Sequence, residues 1–213
     1  METVNNSVEQ RVVLYDVSWE TYERLLADHL DNSVPHFTYD RGALAIVSPL
    51  PEHEKINRTI SLLVDLLAEE FGVDLENLGS TTFKREDLKR GFEPDTCFYI
   101  QNAARLEGKI ELDLTVDPPP DLVIEIDITS PSLDRFPLFA QFGVPEIWHH
   151  DGERVSILEL ESNGYAERAS SIAFPTLTGD NLTYFAKRGV ALGRRAWMRE
   201  VREWARAHAS SSN

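Results

Sequence analysis

The chain has 213 residues, 42% of them hydrophobic and 27% charged, with a formal net charge of −15. This composition predicts a soluble protein with a real core, and the charge argues against indiscriminate binding to nucleic acid, which needs Lys and Arg on phosphates. A single cysteine, Cys97, excludes an internal disulfide; no apolar run is long enough to span a bilayer and the first residues hold no secretory segment, so a cytoplasmic setting with no membrane partner is expected.

Residues 1–14 read as a flexible, polar leader. Ser18 is a suitable N-cap for a helix over about 19–30, with Trp19, Tyr22, Leu25, Leu26 and Leu30 along one side. HFTYDRGALAIV then reads as a β-hairpin that turns at Asp40-Arg41-Gly42. After the Ser48-Pro49-Leu50-Pro51 break comes a helix over 52–71, with Ile56, Ile60, Leu63, Val64, Leu67 and Phe71 as its apolar stripe. Glu52 and Glu54 stand at its positive end, where the helix dipole accounts for both without any chemistry.

Strands follow near 73–78, 81–86 and 92–100. Within FEPDTCFYI, alternation puts Glu93, Asp95 and Cys97 on one face, and Pro94 implies an edge, a bulge or a strand start. The linker 101–120 ends in three prolines and has a short helical piece at Ala103 to Leu106.

The segment DLVIEIDI, 121–128, has period two. Leu122, Ile124, Ile126 and Ile128 form an apolar face; Asp121, Val123, Glu125 and Asp127 form the other. Glu125 and Asp127 stand about 6–7 Å apart at strand rise. Two such acids repel. The pair therefore holds a metal, shares a proton or stands in solvent. Thr129-Ser130-Pro131-Ser132 turns the chain into a short helix over 135–142 that Gly143 ends. A meander with turns at Asp151-Gly152 and Asn163-Gly164 comes next, then a helix over 179–187 capped by Thr178, and a last helix over 194–208. The fold class is α+β: one domain over 15–190, then a C-terminal helix and disordered tail over 191–213.

If the strands of Asp95 and Glu125 are neighbours, Asp95, Glu125 and Asp127 converge. Three hard oxygen ligands suit Mg²⁺ or Mn²⁺, and such an ion acidifies bound water and polarises a phosphoryl oxygen. The plain alternative is a solvated acidic sheet face. Other chemistries have less support. The six histidines show no zinc spacing, and one cysteine cannot complete a zinc cluster. His149 and His150 point to opposite faces of their strand. Cys97, Trp148 and Phe142 read as core. No G-x-S-x-G, P-loop or G-x-G-x-x-G is present. The basic run Lys187, Arg188, Arg194, Arg195, Arg199, Arg202 and Arg206 reads as a solvated helix face.

Pro94-Asp95 followed by Glu125-Ile126-Asp127 resembles the PD-(D/E)xK superfamily, which has the restriction endonuclease-like fold. The likeness extends to its bacterial branch of putative restriction endonucleases. Gly42-Ala43-Leu44, Ser48-Pro49 with His53, Pro94-Asp95, Asp121-Leu122-Val123 with Glu125 and Ser130-Pro131-Ser132, and Gly143-Val144-Pro145-Glu146 with Trp148 carry it, over about 15–185. The resemblance implies metal-dependent hydrolysis of DNA phosphodiesters, with Asp95 and Glu125 as ligands of Mg²⁺ or Mn²⁺. It implies that Glu54 is an acid contributed by the first long helix. Asp127 stands where the superfamily has its lysine, and Arg135 fills the slot from which this branch supplies one. Arg135 can clamp a phosphate but cannot deprotonate water. Two further readings remain: a catalytically inactive binding or assembly protein on the same fold, and a metal-dependent phosphohydrolase of small nucleotides. Dimerisation is common in the superfamily and would let two sites cut two strands, although no homodimer interface is legible in the chain.

Overall fold

In the computed structural model, which describes residues 10–29, 34–109, 112–128 and 134–209, two sheets meet at the segment Glu93-Pro94-Asp95. The first sheet has the order β1-β3-β2-β6-β5, with β1 Gln10–Leu14, β2 His36–Asp40, β3 Ala43–Ser48, β5 Phe83–Arg85 and β6 Arg90–Phe92. The second has the order β11-β10-β9-β8-β7-β4, with β4 Glu76–Gly79, β7 Thr96–Tyr99, β8 Leu122–Ile126, β9 Glu146–His150, β10 Val155–Glu161 and β11 Gly164–Arg168. All pairings are antiparallel except β8 with β9.

The helices are α1 Trp19–Asp28, α2 Pro51–Phe71, α3 Ala103–Leu106, α4 Phe136–Phe142, α5 Gly179–Ala191 and α6 Arg194–Ala209. Local signals place most of these elements. Ser18 accepts from the Thr21 N–H at the start of α1. The β2–β3 turn has positive φ at Arg41 and Gly42, which suits the twist of a two-residue hairpin. Gly72 ends α2 and Gly143 ends α4, both in the left-handed conformation. Thr178 and Asn181 form a reciprocal capping box on α5.

Three expectations change. Residues 10–14 are not part of a loose leader: β1 pairs with β3 from Gln10↔Ser48 to Leu14↔Leu44, because β3 otherwise has a free edge. The strand expected over 92–100 is two strands. Pro94 has no N–H to give a ladder, and here the chain leaves the first sheet after Phe92 and enters the second at Thr96. The last helix is not an appendage: Trp197, Val201 and Ala205 of α6 are buried with α2 and the second sheet. Its Arg202 and Arg206 pair with Glu69 and Glu70 of α2, so part of the basic run is an interhelical seam. Residues 1–9, Leu30, the Ser130-Pro131-Ser132 turn and the tail 210–213 lie outside the described residues.

The second sheet is covered on both faces, which is why all five residues of β8 are buried. Leu122, Ile124 and Ile126 pack with Ile60, Leu63, Val64 and Leu67 of α2. Val123 packs on the opposite side with Leu138, Phe139 and Phe142 of α4 and with Phe83 and Phe92 of the first sheet. Glu125 stands on the Val123 side by alternation, so its carboxyl heads into the α4 layer. Trp19, Tyr22 and Leu26 of α1 cover Phe37, Tyr39 and Leu44 of the first sheet. No helix of the described residues is long and apolar enough to cross a membrane.

Candidate active site

The β7–β8 register runs Phe98↔Leu122, Cys97↔Val123, Thr96↔Ile124. One step further, Asp95 lies across from Glu125. The expectation that their strands are neighbours holds, although Asp95 sits at the mouth of β7 rather than within a longer strand.

Asp95 is buried and heavily bonded. Its Oδ2 accepts the backbone N–H of Ile126 at 2.8 Å and lies 3.1 Å from Nε2 of His53. Its Oδ1 lies 3.5 Å from Nδ1 of His36. His36 comes from β2 and His53 from the first turn of α2, so this carboxylate joins both sheets and the long helix. Burial alone would raise its pKa. Hydrogen bonds from His36 and His53, with the charges of His53 and Arg135, outweigh burial and hold it below the ordinary carboxylate value. Asn57, one turn beyond His53, donates to the Asp95 carbonyl at 3.0 Å and accepts from Thr96 Oγ1 at 2.9 Å.

Glu125 is 1% exposed. The guanidinium of Arg135, at the N-cap of α4, makes a close ion pair with its Oε2. The Asp95 backbone N–H also favours the ionised form of this carboxyl. Burial drives its pKa well above the usual value; the Arg135 charge opposes this, and the charges of Asp95 and Asp127 add to it. Asp127 follows the end of β8. Its Oδ2 lies 3.0 Å from His149 Nε2 and its Oδ1 3.9 Å from Arg135. His149 is the β9 residue in register with Glu125, and the Phe136 ring meets its imidazole edge-on at 5.1 Å.

The two acids of 125 and 127 therefore share a cation, and that cation is Arg135. This outcome differs from the three considered from sequence, because a guanidinium eight residues further on was not in the periodicity of the strand. Glu54 pairs with Arg58 at 3.3 Å and lines, with His36, Asn57 and Asp95, a cleft of about 260 Å³. Asp121, placed on the acidic face by alternation, is structural: it accepts the Ile100 and Asn102 N–H groups at 2.7 and 2.9 Å. Glu93, likewise placed beside Asp95 and Cys97, accepts instead from Phe37 N and Thr82 Oγ1, since the strand breaks at Pro94.

Sequence reasoning missed His36, His53 and His149. His53 carried a signal in its place after Ser48-Pro49. His36 and His149 carried none, because their partners are distant in the chain. His150 does face away from its neighbour and accepts from Gly152 N. Cys97 is fully buried, and burial pushes its thiol up.

The donor chemistry fits a hard divalent ion. Two carboxylates oppose each other across β7 and β8, and one of them, Glu125, is fully buried with its main counter-charge supplied by a single side chain. Arg135 holds the counter-charge in this arrangement, and among the described residues no three Asp, Glu, His or Cys groups are disposed around one ion.

The chain is a mixed α+β single domain with two sheets, and its fold is of the restriction endonuclease-like class. Residues 19–183 match the Uma2 family, described as "Putative restriction endonuclease", and the chain belongs to that family. A crystal structure described as that of a putative nuclease from Anabaena variabilis ATCC 29413 is similar in fold. It has 16% sequence identity, covers 80% of this chain and 99% of its own, and has a TM-score of 0.51. No curated protein matches the chain.

Proposed function

We propose that this protein is a metal-dependent endonuclease that hydrolyses DNA phosphodiester bonds. The observation that carries this reading is the Asp95–Glu125 pair, opposed across β7 and β8 where the two sheets meet. Membership of the Uma2 family supports it.

Asp95 and Glu125 would hold Mg²⁺ or Mn²⁺, with Asp127 completing the oxygen set. Such an ion, when bound, supplies a Lewis acid for the phosphoryl group and an acidified water. The chain's own residues do the rest. His36, His53 and the Ile126 N–H fix the Asp95 carboxylate in its ionised form. Burial at 1% exposure keeps bulk water from Glu125. Arg135 is permanently cationic and its planar fork matches two phosphoryl oxygens, so it would orient the scissile phosphate. His149 sets the rotamer of Asp127.

Plasmid nicking with Mg²⁺ or Mn²⁺ tests the reading. Cleavage that disappears in Asp95→Ala and in Glu125→Ala is expected; unchanged cleavage in both variants would reject it. The Arg135–Glu125 ion pair favours a second reading, an inactive binding or assembly protein on this fold, because Glu125 already has a counter-charge without a metal. That reading requires no cleavage of any nucleic acid and no binding of divalent ions at millimolar concentration.

A further inference from the structure

We infer that Arg135 is a resident counter-cation of the Glu125–Asp127 pair and that a divalent ion binds by displacing it, freeing the guanidinium for phosphate. The inference rests on the nuclease reading and adds a step to it.

Glu125 is 1% exposed and pairs with Arg135, whose side chain is 18% exposed. Asp127 and His149, the groups beside it, are 14% and 20% exposed. Arg135 is thus more exposed than either acid, touching Glu125 and reaching to 3.9 Å from Asp127. One delocalised positive charge serves two acids. A compact dication at the same oxygens would neutralise both more completely, since Coulomb energy scales with charge and inversely with distance.

The exchange is not costly. A buried ion pair gives back much of its attraction as lost solvation, and a guanidinium is only weakly hydrated when released. The exchange asks only for a new side-chain position: the Arg135 carbonyl accepts from Phe139 N–H at 2.9 Å, and Leu138, Phe139 and Phe142 hold α4 in the core. Asp127 keeps its direction through His149 at 3.0 Å, so the acids remain set while the cation changes.

The test is calorimetric titration of Mn²⁺ into the wild-type chain, Arg135→Ala and Arg135→Gln, without DNA. Both variants are expected to bind Mn²⁺ at least tenfold more tightly than wild type, and to gain more in Tm on adding it. Equal or weaker binding by both variants, with intact circular dichroism, would overturn the inference. Should neither variant fold, the wild-type side-chain Nε–H resonance of Arg135 gives the answer: displacement requires it to shift on Mg²⁺ addition, and a resonance that stays put refutes it. Wild-type nicking of DNA with no tighter Mn²⁺ binding in the variants sinks this inference alone. Tighter binding in the variants with no nicking by wild type supports it and sinks the nuclease reading.

Discussion

Asp95 accepts the backbone N–H of Ile126 at 2.8 Å, tying the carboxyl at the mouth of β7 to the strand that carries Glu125. Two further lone pairs of Asp95 face His53 and His36, and a second lone pair of Oδ1 is left over. The position of this acid therefore depends on α2 and β2 as much as on its own strand.

Replacing His53 with Ala is expected to lower Mg²⁺-dependent cleavage by about 10–100-fold, the usual cost of removing a group that orients a ligand. His36→Ala should cost less, because its contact is longer, 3.5 Å against 3.1 Å. Steady-state nicking rates across a Mg²⁺ titration check both. A loss that added Mg²⁺ recovers marks a positioning role; a variant that has lost its near-ultraviolet dichroism marks a purely structural one.

Asp121→Ala should destabilise the fold without touching the chemistry. Its carboxylate satisfies the Ile100 and Asn102 N–H groups in a part-buried turn. Each donor left unpaired costs about 1–3 kcal/mol. Urea denaturation should show the loss, and residual native protein should cleave at the wild-type rate.

Glu146 is a second structural acid. It accepts from Trp148 Nε1 at 2.6 Å and from the Ile172 and Ala173 N–H groups at 2.9 and 3.0 Å. Burial raises its pKa, although these bonds oppose the rise. The folded state thus keeps this proton when the unfolded chain, with a pKa of about 4.3, has lost it. Its contribution to stability is complete below that value and declines as pH rises through the folded pKa. Glu146→Gln can keep its carbonyl oxygen on the Ile172 and Ala173 N–H groups only by turning its amide N–H₂ towards the Trp148 N–H, and should be less stable at every pH. The gap from wild type should narrow as pH rises from 4 to 8, since only the wild type titrates there. Thermal melts across that range would contradict the assignment if the gap widened.

Trp197→Ala should cost about 3–5 kcal/mol, as for a large buried aromatic. Its ring is 2% exposed and its indole donates to the Phe185 carbonyl at 2.9 Å, holding α6 to α5 and α2. Equilibrium denaturation measures this. A loss below about 1 kcal/mol would show that α6 is dispensable to the core.

The elements themselves were legible from local signals. The Ser18 cap, the Arg41-Gly42 turn, the α2 stripe closed by Gly72 and the Thr178 cap act within a few residues, so the chain encodes them without reference to the rest. Period two along 121–128 also identified the core face of β8, because alternation is a property of the extended backbone. The Asp95–Glu125 pair was accessible through the motif and the alternation together. Sheet membership was not. Pro94 announces a break, but only packing decides that Phe92 ends in one sheet and Thr96 begins in another. The fates of the remaining acids also lay beyond the sequence: Asp121 and Glu93 went to backbone N–H groups, Asp127 to His149, and Glu125 to Arg135. Which donor reaches a carboxylate is settled by elements far apart in the chain meeting at bonding distance, and charge pairing at that range leaves no periodic trace along the sequence.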